Sequence, residues 1–427
     1  MKMKGEVGIY VHIPFCKSKC AYCDFYSLAG REDKMPLYQE ALLSHISESQ
    51  KSMQTFEIDS IYFGGGTPSY YGAKRIVEIL DELKGMGNVR LDSEITVEVN
   101  PDSVSYEDMK LLYQAGVNRI SMGMQSASND LLKIIGRRHN FVQVETAMQT
   151  IRDAGFENIS LDLIYGLPSQ TREDWAETLT KALALKPRHL SCYGLKLEEG
   201  TPMFDKYCGS PLIPDEDAQA DMYLYTVETL RRYGLLQYEI SNFALPGYES
   251  KHNMKYWTMQ DYMGFGPGAA SRVGNLHYSY VRSLGKYIDA VGGNAQIIDE
   301  YEESIPIQRA AEYLMLGMRT AHGISKDEYH RIYRSNWEPL EETFEVFRKK
   351  GWAVKFGSSW RLTPKGFLIS NTLINAMIEA QTGVKVEFNP WLRGAFEAEE
   401  KQELPMGEEE RFIDFYLRHA NSGGKET

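Results

Sequence analysis

Three cysteines, Cys16, Cys20 and Cys23, stand on one short stretch in the spacing C-x3-C-x2-C. Thiolates are soft, charged ligands, and three of them on a tight loop suit three corners of a cubic iron–sulfur cluster. The fourth iron is then left without a protein ligand and is open to a small molecule. A structural zinc site would need four ligands, often in paired C-x2-C units. The other cysteines, Cys192 and Cys208, lie far downstream with no partner spacing. His12 could supply a fourth ligand, but it sits inside a strand pattern, four residues before Cys16. Tyr22 and Phe25, interleaved with the thiols, suit a dry, oxygen-sensitive cluster better than a zinc knuckle. Spacing alone favours the cluster and leaves zinc or coincidence as alternatives.

The elements around this loop repeat a strand–loop–helix pattern. An apolar strand from Gly8 runs into the cysteines, and further strands are expected at 58–63, 94–99, 118–124, 158–163 and 189–195. Helices are expected near 36–52, 72–83, 106–115, 128–135, 140–154 and 173–185. Such alternation predicts an α/β fold with a parallel sheet and right-handed crossovers. Six units fall short of a closed eightfold barrel, so the expectation is an open, partial (β/α)6 barrel. Ligands of such sheets bind at the carboxyl ends of the strands. Polar residues or glycines stand where each strand stops: Cys16 to Cys23, Gly64 to Thr67, Glu98 and Asn100, Gln125 and Ser126, Asp162, and Gly194. Within GGGTP (64–68), glycines let backbone groups approach a ligand without Cβ interference, although a lone glycine-rich loop is weak evidence. A side chain at Gly65 is expected to block that approach without unfolding the domain.

Beyond the barrel, 215–233 reads as a helix and LQYEIS (236–241) as a strand. HNMKYW (252–257) then places His252, Tyr256 and Trp257 together. A histidine beside aromatics can ligate haem iron axially, and more often is a hydrogen-bonded structural residue. GFGPGAAS (264–271) follows no Rossmann-type strand and reads as a backbone turn. From about Pro306, helices at 307–320, 326–334, 339–349 and 367–380 surround a hairpin at 351–366, a winged-helix-like pattern. These helices carry no basic stripe, and the whole chain of 427 residues has a net charge of −12, which argues against nucleic acid as partner. Residues 396–410 hold seven acids and one lysine and read as a solvated segment. The expected division is 1–240, 241–304, 305–380 and 381–427. No window reaches the roughly 18 apolar residues of a membrane span. Five cysteines without a disulfide framework, and no signal peptide before the first strand, point to a reducing, cytoplasmic location.

The cysteine spacing after an apolar strand resembles the signature of radical S-adenosylmethionine (SAM) enzymes. The wider string YVHIPFC…CAYCDF resembles the oxygen-independent coproporphyrinogen oxidase family, and the resemblance extends over about 8–380. It implies a [4Fe–4S] cluster on Cys16, Cys20 and Cys23 whose unique iron is chelated by SAM. It further assigns Gly65, Gly66 and Thr67 of GGGTP, Glu98, Gln125, Arg137 of GRRH and Asp162 of LDLIYGLP to SAM, with Tyr10 and Gly194 as weaker carry-overs. H-N-x-x-Y-W resembles the haem motif of the HemW-type chaperones within this family, which implies His252 as a haem ligand. Decarboxylating members carry a further cysteine two residues after the third, where this chain has Phe25. That departure favours haem binding and delivery over porphyrinogen oxidation. The implied partners are a haem-requiring recipient, membrane-associated ones included, and a flavodoxin- or ferredoxin-like electron donor, with the chain a monomer or homodimer. A catalytic radical SAM enzyme, such as a methyltransferase, and a non-catalytic iron–sulfur scaffold are the other readings.

Overall fold

The computed structural model describes residues 5–85, 88–291, 297–333 and 336–383. Its first compact unit comprises Met1–Thr226 and Ser250–Ser304, and the second takes Val227–Glu249 with the chain from Ile305 onward. This division differs from the expected one. Residues 250–304 are not a separate segment but part of the barrel unit, and 227–249 pack with the C-terminal part instead.

Six strands form the barrel unit's centre: β1 (Glu6–Ile13), β2 (Glu57–Gly65), β3 (Val89–Val99), β4 (Arg119–Gln125), β5 (Asn158–Tyr165) and β6 (His189–Gly194). They are parallel and adjacent in chain order. Because strand side chains alternate, one set faces the surrounding helices and the other faces the lumen. On β1 the helix-facing set is Val7, Ile9, Val11 and Ile13, each fully buried. The helices meet it with apolar stripes. In Ala73–Gly85 the buried residues are Ala73, Ile76, Ile79, Leu80 and Leu83, spaced as one helical face. Each such isoleucine or leucine side chain contributes about 1.5–3 kcal/mol when buried.

The sheet does not close on itself. The outer side of β1 is taken by a parallel strand, β7 (Tyr262–Phe265), with Tyr10 opposite Gly264. Antiparallel strands β8 (Ala270–Val273), β9 (Leu276–Tyr280) and β10 (Ile298–Glu303) extend it further. GFGPGAAS is therefore the end of β7, a turn and the start of β8. The strand within it went unread because β7 has only four residues and runs directly into a Gly-Pro-Gly turn.

In the second unit, LQYEIS is not one strand. Leu236–Gln237 folds back onto Asn242–Ala244, and Glu239 makes an isolated bridge to Thr320. Helices Pro306–Gly317, Lys326–Tyr333 and Glu338–Lys349 precede the hairpin Ala353–Phe356/Ser359–Leu362, which Ile324–Ser325 extends to three strands. This is the expected winged-helix-like arrangement. Its core is aromatic: Phe344 and Trp360 stack at 5.1 Å, and both the Trp337 and Trp360 indoles donate to Glu341. The acidic stretch 396–410 lies outside the described residues.

Candidate cofactor site in the barrel lumen

The cysteine loop leaves β1 and is fastened by backbone bonds at both ends. Phe15–Cys16 pairs with Leu28–Ala29, and the Cys23 amide donates to the Cys20 carbonyl at 3.2 Å. The Ala21 amide donates to Ile135 at 3.1 Å, and the Ala21 carbonyl accepts from Met203 at 2.9 Å. The glycine loop ending β2 lies directly against it. Gly66 donates to the Ile13 carbonyl and Thr67 to that of Phe15, both at 2.8 Å. A Cβ on Gly66 would stand 2.7 Å from the Phe15 carbonyl oxygen, so this approach needs glycine.

Side-chain donors reach Cys16 and Cys20, and the Phe25 backbone reaches Cys23. Thr67 Oγ1 donates to Cys16 Sγ at 3.5 Å, and Arg137 Nη1 to Cys20 Sγ at 3.6 Å. Asn100 joins the two donors: its Nδ2 donates to Thr67 Oγ1 at 3.1 Å, and its Oδ1 accepts from Arg137 at 3.1 Å. Burial raises the Cys16 and Cys23 thiols above their ordinary range. Among the described residues no three His, Cys, Asp or Glu side chains gather around a point that would hold a single metal ion. Cys16, Cys20 and Cys23 all line one cavity. A cubane binds each thiolate at a different iron, and three cysteines facing one cavity, with donors already set against the sulfurs, fit such a cluster.

That cavity is the lumen, about 460 Å³ in volume. It is lined by Cys16, Cys20, Cys23, Gly65, Gly66, Thr67, Glu98, Gln125, Arg137, Asp162 and Gly194, so the structure brings eleven of the thirteen residues singled out above to one space. Glu98 accepts from the Tyr62 hydroxyl at 2.8 Å and the Gly65 amide at 3.2 Å. Burial nevertheless outweighs these donors and pushes its carboxyl up to about 7, with the Asp162 charge adding to the rise. Asp162 accepts from Ser191 at 2.7 Å and from Ser121 at 3.1 Å, and burial raises it too. Gln125 ends β4 in the left-handed region, at φ 63°, where the β4–β5 register shifts.

Several lining residues were missed by the sequence reading. Arg119, only 1% exposed, begins β4, and its charge acts on both Glu98 and Asp162 to favour their ionised forms. Tyr62, Ser121 and Ser191 also line the lumen. The available signal was alternation: polar residues at every second position of otherwise apolar strands, rather than only at strand ends.

Two expected residues do not line the cavity. Tyr10 shares a hydrogen bond with His12 at 3.1 Å and stacks 6.2 Å from Tyr62. His252 lies on the helix Lys251–Trp257, wholly buried. Its Nδ1 is 3.0 Å from Ser60 Oγ and its Nε2 2.8 Å from the Tyr256 hydroxyl. The Glu94 carboxylate accepts the amides of Lys251 and His252, and Lys255 pairs with Asp59 at 2.8 Å. Both ring nitrogens of His252, the expected haem ligand, are engaged inside the fold. The neighbouring Asn253 reaches the lumen instead. The substitution of Gly65 is corrected. Gly65 has φ +107°, and a Cβ would stand 2.6 Å from the His12 ring, so a side chain there strains the loop as well as blocking the cavity.

A family model for the radical SAM superfamily matches residues 10–182, and one for the HemN C-terminal domain matches 306–369. The protein named heme chaperone HemW from Lactococcus lactis is 35% identical over 377 residues, spanning 86% of this chain and 96% of its own. That from Bacillus subtilis is 34% identical and covered over 98% of its length. The chain belongs to the HemW family. A solved structure of coproporphyrinogen III oxidase (HemN) from Escherichia coli superposes with a TM-score of 0.76 at 21% identity, covering 90% of this chain and 91% of that one, which shows a shared fold. The lumen of this HemW family member is thus that of a radical SAM domain, with the glycine loop and the cysteine loop locked together at its mouth.

Proposed function

We infer that this chain is a radical SAM haem chaperone. It holds a [4Fe–4S] cluster on Cys16, Cys20 and Cys23, takes SAM into the lumen, and binds haem for delivery to a haem-requiring protein. The observation that carries the reading is the near full-length likeness to proteins named heme chaperone HemW, together with Phe25 where decarboxylating relatives would place another cysteine. Phe25 is 70% exposed and offers no thiolate.

When bound, the cluster and SAM supply one-electron cleavage of the sulfonium. The chain's own residues do the holding. Gly65 and Gly66 present backbone to the lumen, Glu98 and Asp162 offer acceptors for hydroxyl or ammonium groups, and Gln125 adds an amide. Tyr22, which also lines the cavity, gives it an aromatic wall beside the thiols. A flavodoxin- or ferredoxin-like donor suits the electron required. All five cysteines are free, and among the described residues no helix is long and apolar enough to cross a membrane. We place the function in the cytoplasm, where thiols stay reduced.

The test is an anaerobic haem titration of the cluster-loaded chain, followed by the Soret band. Saturable one-to-one binding is expected. Absence of specific binding, with release of 5′-deoxyadenosine alongside a modified product, would replace the chaperone by a catalytic enzyme.

A further inference from the structure

Arg137 lines the lumen beside the cysteine loop. Its Nη1 donates to Cys20 Sγ at 3.6 Å and to Asn100 Oδ1 at 3.1 Å, and its Nη2 donates to the Gly123 carbonyl at 3.1 Å. Both terminal nitrogens are thus committed to the cysteine loop and the barrel wall. Through Asn100 the same network reaches Thr67, whose hydroxyl points at Cys16 Sγ. Two sulfurs of the loop therefore receive donors from one connected set of side chains, contributed by the β2 loop, the end of β3 and the segment after β4.

We propose that Arg137, Asn100 and Thr67 form a network that sets the reduction potential of the cluster through hydrogen bonds to the Cys20 and Cys16 thiolates. This rests on the reading that the three cysteines hold the cluster. Hydrogen bonds to cluster sulfurs and nearby positive charge are known levers on potential. One-electron reduction adds negative charge, part of it on the thiolate sulfurs. A donor aimed at those sulfurs stabilises the reduced form more than the oxidised one and raises the potential. The Arg137 bond is charge-assisted and the stronger of the two, whereas Thr67 contributes a neutral hydroxyl. Arg138 provides an internal contrast. It is the next cation in sequence, but it pairs with Asp102 at 3.4 Å and is about half exposed.

The experiment is a potentiometric titration of the anaerobically reconstituted full chain, monitored by the electron paramagnetic resonance signal of the reduced cluster. Arg137→Gln should shift the midpoint to more negative potential, Thr67→Val should shift it the same way by less, and Arg138→Gln should leave it in place. A midpoint unchanged in Arg137→Gln, at wild-type iron and sulfide content, overturns the proposal. Should Arg137→Gln fail to retain its cluster, Thr67→Val decides: a negative shift supports the network and an unmoved midpoint overturns it. Wild-type chain without iron and sulfide would fail the cluster reading itself, which is a separate result.

Discussion

Nε2 of His252 lies 2.8 Å from the hydroxyl of Tyr256, one turn along the same helix, and this bond closes the nitrogen that faces away from Ser60. The ring stacks 5.4 Å from Tyr62 and meets Tyr256 edge-on at 5.3 Å. Burial lowers its pKa to about 3, so it is neutral at physiological pH, with its two nitrogens sharing one proton between the hydroxyls. The arrangement is that of a pin between the helix and the barrel strands.

That geometry gives the first prediction. His252→Ala should destabilise the chain by about 2–4 kcal/mol, because it leaves a cavity and two buried hydroxyls without partners. His252→Gln, which can still reach one hydroxyl, should retain the fold and also haem binding. Thermal melts and a Soret titration of the two variants check this. Haem binding lost in a folded His252→Gln chain, and tightened in Tyr256→Phe, would show instead that the helix opens to release His252 as a ligand.

Gly66→Ala is expected to cost the cluster. The added Cβ would lie 2.7 Å from the Phe15 carbonyl oxygen, 2.8 Å from that of Ile13 and 2.9 Å from the Phe15 amide, all backbone atoms that cannot swing aside. The two bonds joining the glycine loop to the cysteine loop would be displaced. Iron and sulfide per chain should fall well below wild type in Gly66→Ala, while circular dichroism still reports the barrel. Full cluster content in the variant would mean the loops are not coupled as the contacts indicate.

The barrel was legible because its strands are apolar runs ending in chemically active residues, and its helices carry regular apolar stripes. The eleven lumen residues followed from those strand ends and from motif resemblance. What was not legible depends on contacts between distant segments. Nothing local in HNMKYW says that Glu94, more than 150 residues earlier, caps its helix, or that Ser60 meets the His252 ring. Arg119 was passed over because a single arginine opening a strand looks like a surface residue, and only the folded sheet sets it against Glu98 and Asp162. The strand β7 was hidden within a glycine-rich stretch because pairing with β1, not propensity, makes it a strand.

Acid should weaken the fold in a defined window. Burial lowers His12, His45 and His139 to about 4 and His252 to about 3, and lowers His189 and His322 as well. Below about 6.5 the unfolded chain takes up protons that these rings refuse, so their contribution is complete above 6.5 and is lost as pH falls toward 4. Glu98, Asp162 and Glu239 are raised and act in the opposite sense, since the folded chain keeps protons there that the unfolded chain loses. The histidines outnumber them. Unfolding free energy from urea titrations should drop by about 1–3 kcal/mol per pH unit between 6.5 and 4.5. A flat or rising profile would show that these rings are not sealed from water.

SAM affinity should rise with pH across neutrality, and Glu98 is the reason. Its carboxyl sits at about 7 because burial and the neighbouring Asp162 oppose ionisation, while the Tyr62 hydroxyl and Gly65 amide favour it. As an acceptor for a ligand hydroxyl or ammonium, it acts best as the carboxylate. Between pH 6 and 8 its ionised fraction grows roughly tenfold, and an affinity that requires the carboxylate follows that fraction. Calorimetric titration of SAM into the cluster-loaded chain should therefore show a Kd falling by up to about tenfold over this range. Glu98→Gln keeps an acceptor of the same shape but cannot titrate, so its Kd should be weaker at pH 8 and nearly independent of pH. A wild-type Kd that does not move with pH, or a Glu98→Gln chain that keeps the wild-type slope, would place the titrating group elsewhere, with Asp162 the next carboxyl to test by the same substitution.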